Sequence, residues 1–190
     1  MTGHRNSNKV RIISGLWKSR LITFPSLEGL RPTPDRVRET LFNWLGQTLY
    51  GKTCLDLFAG SGTLGFEAIS RGADLVIMVE KAKEAIDALY QNAKSLEAKN
   101  LEIVRADAMK FLETTHQTFD VIFLDPPYDA QLLPEIFKRL PKVLQEEGVV
   151  YFENNREVSL SNEWEIIKES KSGAVKYYLA KLISVKKDSQ

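Results

Sequence analysis

Near the middle of the chain, FDVIFLDPPYDAQ carries an apolar stretch over residues 119–124 into Asp125, Pro126, Pro127 and Tyr128. Proline has no N–H, fixes its own φ and pushes the preceding residue toward an extended conformation. Asp125 and Pro126 are therefore held extended, with carbonyl oxygens that no following helix consumes. The tip offers a carboxylate and a fixed carbonyl, which are acceptors without donors. That suits one target well, an exocyclic –NH2 on a flat base, which presents two hydrogens. Such an amine is a poor nucleophile because its lone pair is delocalised into the ring. Two acceptors that draw its hydrogens out of plane localise the pair, and the carboxylate stabilises the positive charge developing on nitrogen. Tyr128 can stack on the base and hold its edge toward a methyl donor. A carboxylate in this role works ionised and needs no unusual pKa. The plain alternative is a proline-terminated strand with a surface tyrosine.

A second motif lies upstream. LDLFAGSGTLGFEAI contains Gly60, Gly62 and Gly65 as G-x-G-x-x-G between an apolar strand and a helix. Glycine there permits positive φ and close approach of a ligand to the backbone. In open α/β sheets, ligands bind beyond the strand C-terminal ends. An acid at the end of the next strand, Glu80, is placed for ribose hydroxyls, so a nicotinamide dinucleotide and S-adenosylmethionine fit almost equally at this point. Three details favour the second. Asp56 ends the first strand, where a carboxylate can face a cationic amino-acid group. The loop is bulky at Phe58 and Ser61. Asp107 follows the third strand, where it can bond an adenine amino group or, equally, cap a helix.

These residues need a scaffold. Residues 1–8 are expected to be disordered, and 10–13 and 20–24 read as two short strands of a hairpin around Gly15. Thr33 reads as an N-cap with Pro34 in the first helical position. Val37, Leu41, Trp44, Leu45 and Thr48 follow at helical spacing, and Gly51 ends the unit. From Thr53 onward, strands at 53–58, 75–79, 101–105, 119–124 and 148–153 alternate with helices at 64–71, 82–98, 108–113 and 132–144. Pro141 kinks or splits the last helix. Strands at 164–169 and 175–182 close the chain around Gly173 with no helix between them. Continuous apolar strands separated by helices make a parallel sheet covered on both faces. The expected fold is α/β and Rossmann-like. It is a doubly wound, mostly parallel seven-stranded sheet with an antiparallel edge strand and an N-terminal β-hairpin plus helix extension. The expected division is an N-terminal extension at 1–50, a cofactor domain at 51–185 and a tail at 186–190.

The chain of 190 residues is 43% hydrophobic and 27% charged, ordinary values for a globular domain. Its single cysteine, Cys54, excludes a disulfide framework and suits a reducing cytoplasm. The polar N-terminus lacks an apolar signal core. Apolar runs such as 75–79 fall far short of the roughly 20 residues that span a bilayer. A cytoplasmic protein is expected. Net charge is only +1, but residues 1–38 hold eight Lys/Arg residues against Glu28 and Asp35, leaving the rest at −5. A basic end on a mildly acidic body points to a polyanionic partner.

With these residues in place, a resemblance emerges. DLFAGSG, Glu80, Asp107 and DPPY together resemble class I S-adenosylmethionine-dependent methyltransferases that act on base amines. DPPY alone is shared with adenine-N6 and cytosine-N4 enzymes. RIISGLWKSRLITFP and RPTPDRVRETLFNWL are far more specific and resemble the RsmD family, which methylates guanine N2 in small-subunit (16S) ribosomal RNA. The resemblance runs over about residues 10–185 and includes Gly173, Val175 and Tyr177. It implies that Asp56 and the loop Phe58, Ala59, Gly60, Ser61 and Gly62 hold the methionine end of S-adenosylmethionine. Glu80 with Lys81 would hold the ribose, and Asp107 with Ala108 the adenine. Asp125, Pro126, Pro127 and Tyr128 would receive the guanine, in RNA unstacked or splayed for access. The hairpin with Arg31, Arg36 and Arg38 would meet phosphates of 16S rRNA, in the assembled small subunit or a late precursor. One of these arginines could instead hold the cofactor carboxylate. A monomer is expected.

His4 and His116 have no ligand-spaced partners, so no metal site is expected. Cys54 reads as core, and Trp17, Trp44 and Trp164 as packing residues, with RNA contact open to Trp17. Three alternatives stand beside the main reading: another base-amine methyltransferase such as an adenine-N6 enzyme, an NAD-dependent oxidoreductase, and a non-catalytic RNA-binding protein.

Overall fold

The structure is a computed structural model that describes residues 7–27, 30–126, 132–154 and 160–183. A two-stranded antiparallel sheet, β1 (Ser7–Arg11) and β2 (Leu21–Pro25), opens the chain and leads to helix α1 (Asp35–Trp44). The main sheet follows: β3 (Thr53–Asp56), α2 (Thr63–Ser70), β4 (Leu75–Glu80), α3 (Lys83–Leu96), β5 (Leu101–Arg105), α4 (Ala108–Thr114) and β6 (Phe119–Leu124). Then come α5 (Leu132–Phe137), a 3-10 turn (Leu140–Lys142), β7 (Leu144–Asn154), β8 (Trp164–Ser172) and β9 (Val175–Leu182). The strand order is β5-β4-β3-β6-β7-β9-β8. β3 to β7 are parallel, while β9 runs antiparallel to both neighbours. The antiparallel edge is thus the β7–β9–β8 ladder, with the reversed strand one place in. The order reverses between β3 and β6, so their C-terminal tips form the crevice where α/β sheets bind ligands.

Side chains alternate across each strand, and this splits the core in two. Cys54, Met78, Phe123, Tyr151 and Tyr177 face α1, α2 and α3, whereas Leu55, Ile77, Leu124, Phe152 and Tyr178 face α4 and α5. Asp56 lies opposite Phe123 on the first face, so β3 delivers its terminal acid to the side that α1 and α2 cover.

Several boundaries differ from the sequence reading, each for a local reason. Ser7 and Asn8 pair with Pro25 and Phe24, so β1 starts before Val10. Helix α1 begins at Asp35. Pro34 is its cap and accepts from Val37 N and Arg38 N through its carbonyl, while Thr33 makes no capping bond and is buried. Pro141 does end the regular helix, which stops at Phe137 before the 3-10 turn. β7 extends back to Leu144, with a register shift opposite Phe119 and Val121.

The N-terminal extension packs into the body. Ile12, Trp17, Ile22, Val37, Leu41 and Phe42 belong to the same buried cluster as Cys54 and Phe123. The loop after β1 is laid on α2 by four backbone donors. Ile13 N and Ser14 N donate to Glu67 (2.8 and 3.0 Å), Leu16 N to Ser70 O (2.7 Å) and Trp17 N to Ser70 Oγ (2.9 Å). Gly15 makes this approach possible: with φ +80°, a Cβ there would lie 1.8 Å from Ser70 O. Trp17 is buried, in keeping with a packing role and not with RNA contact. On the other side, Asn92 of α3 reads Thr23 of β2 as a strand would, accepting from its N–H (2.9 Å) and donating to its carbonyl (2.7 Å).

Candidate active site

The loop after β3 is tied to strand ends on both sides. Leu57 N donates to Phe123 O of β6 (3.1 Å) and Ala59 N to Val79 O of β4 (2.9 Å). Glu80 completes the tie, accepting from Gly60 N (2.9 Å) with one oxygen and from Lys81 N and Ala82 N with the other. The carboxylate expected at the ribose therefore also fixes the glycine loop from which a ligand would be held.

The three glycines of the motif do different work. Gly60 has φ +49°, and a Cβ there would make only ordinary contacts, 3.8 Å from Leu30 and from Phe58 O, so its backbone conformation rather than crowding favours glycine. Gly62, expected to contact cofactor, is set against the core. Its φ is +76°, it starts α2, and a Cβ would strike Leu89 at 2.5 Å and Phe66 at 2.7 Å. Gly65 brings α2 close to the sheet: a Cβ would fall 2.4 Å from Met78, and Gly65 N donates to Asp56 Oδ2 at 3.0 Å.

A small cleft of about 70 Å³, partly open to solvent, is lined by this loop. Among its lining residues are Arg31, Thr33, Asp56, Phe58, Gly60 and Asp125; Ala59 and Ser61 line it as well. The tip of β6 and the glycine loop thus share one space, as adjacent tips of β6 and β3 require. Lys81, Asp107 and Ala108 stand outside that cleft at the ends of β4 and β5. Asp107 caps α4, its Oδ1 accepting from Met109 N (3.0 Å) and Lys110 N (3.3 Å), and its side chain remains exposed. Pro127 and Tyr128 lie outside the described residues, as does His4.

Two acids face the cleft without an ion pair among the described residues. Burial pushes the Asp56 carboxyl up from 3.8 to about 7. The Glu80 charge adds to the shift, and bonds from Gly65 and Phe58 backbone N–H groups oppose it. Asp125 is raised well above the ordinary range by burial first, then by the charges of Glu153 and Asp56. The sequence reading expected an ordinary ionised carboxylate at Asp125. Removal from water beside two other acids makes it a stronger proton acceptor instead. Cationic charge is what this pair lacks. A ligand carrying an ammonium and a sulfonium fits the cleft by charge, and Arg31 at its rim can take a carboxylate.

The linkage gives a prediction. A carboxyl whose folded pKa is raised binds more protons folded than unfolded. Asp56 therefore favours the fold at acid pH and loses that contribution as pH rises from about 4 to about 7. Asp56→Asn should raise the melting temperature of the unliganded protein more at pH 8 than at pH 5. It should also weaken S-adenosylhomocysteine by roughly 10–100-fold, the value of a charge-assisted bond. Thermal unfolding and titration calorimetry check both.

Of the three expected RNA-facing arginines, Arg31 and Arg36 are exposed, whereas Arg38 is 1% exposed and is not an RNA contact. Its Nη1 pairs with Glu67 (3.1 Å), and its Nη2 donates to Asp35 (2.7 Å) and to Arg11 O (2.9 Å). Glu67, fully buried, also pairs with Arg71 Nε at 2.8 Å. Sequence reasoning passed over this cluster. Its signal was an acid inside the apolar run LGFEAI and an arginine in line with Leu41 and Leu45. Cys54 is buried and its thiol pushed up by that burial, in keeping with a core role. His116 is exposed, and no metal-ligand cluster occurs among the described residues.

Comparison with known proteins now has a geometry to meet. The family described as "Conserved hypothetical protein 95" matches residues 10–181. "Ribosomal RNA small subunit methyltransferase D" of Escherichia coli is 39% identical over 181 residues, covering 93% of this chain and 91% of that protein. The protein of the same name from Haemophilus influenzae is 39% identical, covering 90% and 93%. A solved structure described as the putative methyltransferase yhhF of Escherichia coli superposes with a TM-score of 0.84 at 36% identity, covering 92% of this chain and 98% of that one. The match runs from the docked hairpin through the cleft to β9, and the chain belongs to the RsmD family of class I methyltransferases.

Proposed function

We propose that this protein transfers a methyl group from S-adenosylmethionine to the exocyclic N2 of a guanine in 16S ribosomal RNA, with the assembled small subunit or a late precursor as substrate. One observation supports the reading above all: Asp125, at the tip of β6, opens into the same cleft as the glycine loop and Asp56. S-adenosylmethionine supplies a methyl carbon made electrophilic by the adjoining sulfonium.

The chain's own residues do the rest. Asp56 would meet the ammonium of the methionine end and Arg31 its carboxylate, with Phe58, Ala59, Gly60 and Ser61 walling the site. Glu80 and Lys81 at the end of β4 are placed for ribose, and Asp107 and Ala108 at the start of α4 for adenine. The Asp125 carboxylate and Pro126 carbonyl would accept the two amine hydrogens and hold the lone pair toward the methyl group. Tyr128 would stack on the guanine. The raised proton affinity of Asp125 lets it take the proton that the amine must lose.

The basic segment at 1–50 would face RNA, with exposed Arg36 against phosphate. Arg36→Ala should weaken subunit binding across sequences and reduce the salt slope by about one unit, as loss of a single phosphate contact does. Binding at several salt concentrations measures this. No described helix is long and apolar enough to cross a membrane.

Titration calorimetry with S-adenosylhomocysteine and with NAD tests the cofactor. Tight binding of the first and none of the second is expected, and the reverse would return the site to hydride chemistry. Transfer of labelled methyl groups to small subunits stripped of this modification tests the reaction. RNA binding without transfer would leave only a binding protein.

A further inference from the structure

We propose that Glu153 is a positioning residue for the proposed amine methylation: paired with Asp125 at the tips of neighbouring strands, it makes the Asp125 carboxyl the acceptor of the proton that the amine releases. The inference rests on the methyl-transfer reading but concerns a residue that neither the motifs nor the cofactor roles include.

Strand pairing supplies the geometry. β6 and β7 are parallel and in register through Phe123 with Tyr151 and Leu124 with Phe152, so Asp125 and Glu153 come next. Alternation returns both to the face of Phe123 and Tyr151, the face that also carries Asp56. Tyr151 OH donates to Glu153 Oε1 at 2.7 Å. Tyr177 of β9 lies opposite Glu153, its ring 6.4 Å from that of Tyr151, and the Trp44 ring of α1 packs against it, tilted, at 5.5 Å.

The groups around the pair are these. Asp56 acts from β3, Tyr151 from β7 and Tyr177 from β9, with Lys176 one residue farther along β9, at the Asn154 rung. Helix α1 presents Phe42 and Trp44 to this face, while its Arg38 is engaged by Glu67 and Asp35. Burial raises Glu153, and the Tyr151 hydroxyl opposes that by favouring its ionised form. Burial raises the proton affinity of Asp125 first, and the Glu153 charge adds to it. Tyr151, itself pushed well above 10 by burial and the Glu153 charge, stays a donor.

The balance is simple. As the amine nitrogen bonds to the methyl carbon, the carbon–sulfur electron pair stays with sulfur. The N–H pair returns to nitrogen, and the proton goes to Asp125 Oδ, from which it leaves to water with the product. Without the Glu153 charge, Asp125 would accept hydrogen bonds but hold that proton less well.

Two measurements test this. The first is the pH profile of single-turnover methyl transfer to small subunits for wild type, E153Q and E153D. E153Q should move the acid limb to lower pH by about one unit, a tenfold change in proton concentration. E153D, which keeps the charge, should leave the limb near its original place. Y151F, a second variant in case E153Q folds poorly, should shift it in the same direction by less. Superimposable E153Q and wild-type profiles would overturn the proposal. The second is an infrared titration of the carboxyl band lost in D125N, on unliganded protein. Its midpoint should fall in E153Q, and an unmoved midpoint overturns the pairing whether or not methyl transfer occurs. A wild type that transfers no methyl group while the band still shifts would reject the methylation reading and keep the pair.

Discussion

Asp125→Ala is expected to bind S-adenosylhomocysteine within about threefold of wild type while transferring methyl groups at least about 100-fold more slowly. The side chain faces the cleft but is not the acid expected at the ammonium, a role that falls to Asp56 at the end of β3. On the proposed mechanism, its loss removes one of two acceptors on the amine and the proton acceptor together. Loss of a single preorganised group aimed at developing charge costs about 100–1,000-fold, and loss of a general base contributes over a similar range. Single-turnover kinetics on small subunits, paired with calorimetry, separates the two effects. A variant with wild-type rates would remove Asp125 from the chemistry.

The second large effect lies away from the cleft. Glu67→Ala should destabilise the fold by about 3–5 kcal/mol, the cost of leaving buried charges without their partner. The Glu67 carboxylate accepts from Ile13 N, Ser14 N, Arg38 and Arg71, and both guanidiniums are nearly inaccessible. Arg38 Nε has no partner among the described residues, so this guanidinium depends heavily on its remaining bonds. Arg71 also lies 4.5 Å over the Phe42 ring, which couples the network to α1. Denaturant unfolding gives the stability. Hydrogen exchange should show residues 7–25 losing protection first, because their turn hangs on α2 through that carboxylate. α2 begins at the glycine loop, so the same anchor registers the basic hairpin against the proposed cofactor cleft. Arg38→Ala should behave as a folding variant, in contrast to Arg36→Ala.

These outcomes bear on what a sequence can reveal. The α/β order, the strands at 101–105 and 119–124, and the adjacency of Asp125 to the glycine loop were legible. Periodicity of two, glycine punctuation and the rule for parallel crossovers act over short distances. The difference between Arg36 and Arg38 was harder to read. Both sit on one helix, and the buried partner acid in α2, distant in sequence, is what makes burial of one of them tolerable. Thr33 had the composition of a cap, yet burial beside the cleft used it otherwise, and Pro34 took its place. Gly62 matched a ligand-binding fingerprint, while Phe66 and Leu89 occupy the space its side chain would need. The proton affinity of Asp125 could not follow from its own motif, because it is set by burial first and then by Glu153 and Asp56 on other strands. In each case, tertiary neighbours decided what local pattern left open.

The central claim is that the Asp125 tip grips a guanine amine of the small subunit. Its most direct test is mass spectrometry of small-subunit RNA from cells lacking this protein and from the same cells supplied with wild type or Asp125→Ala. The account predicts one N2-methylguanosine lost on deletion, restored by wild type and not by the variant. An unchanged modification map, or restoration by Asp125→Ala, would contradict it.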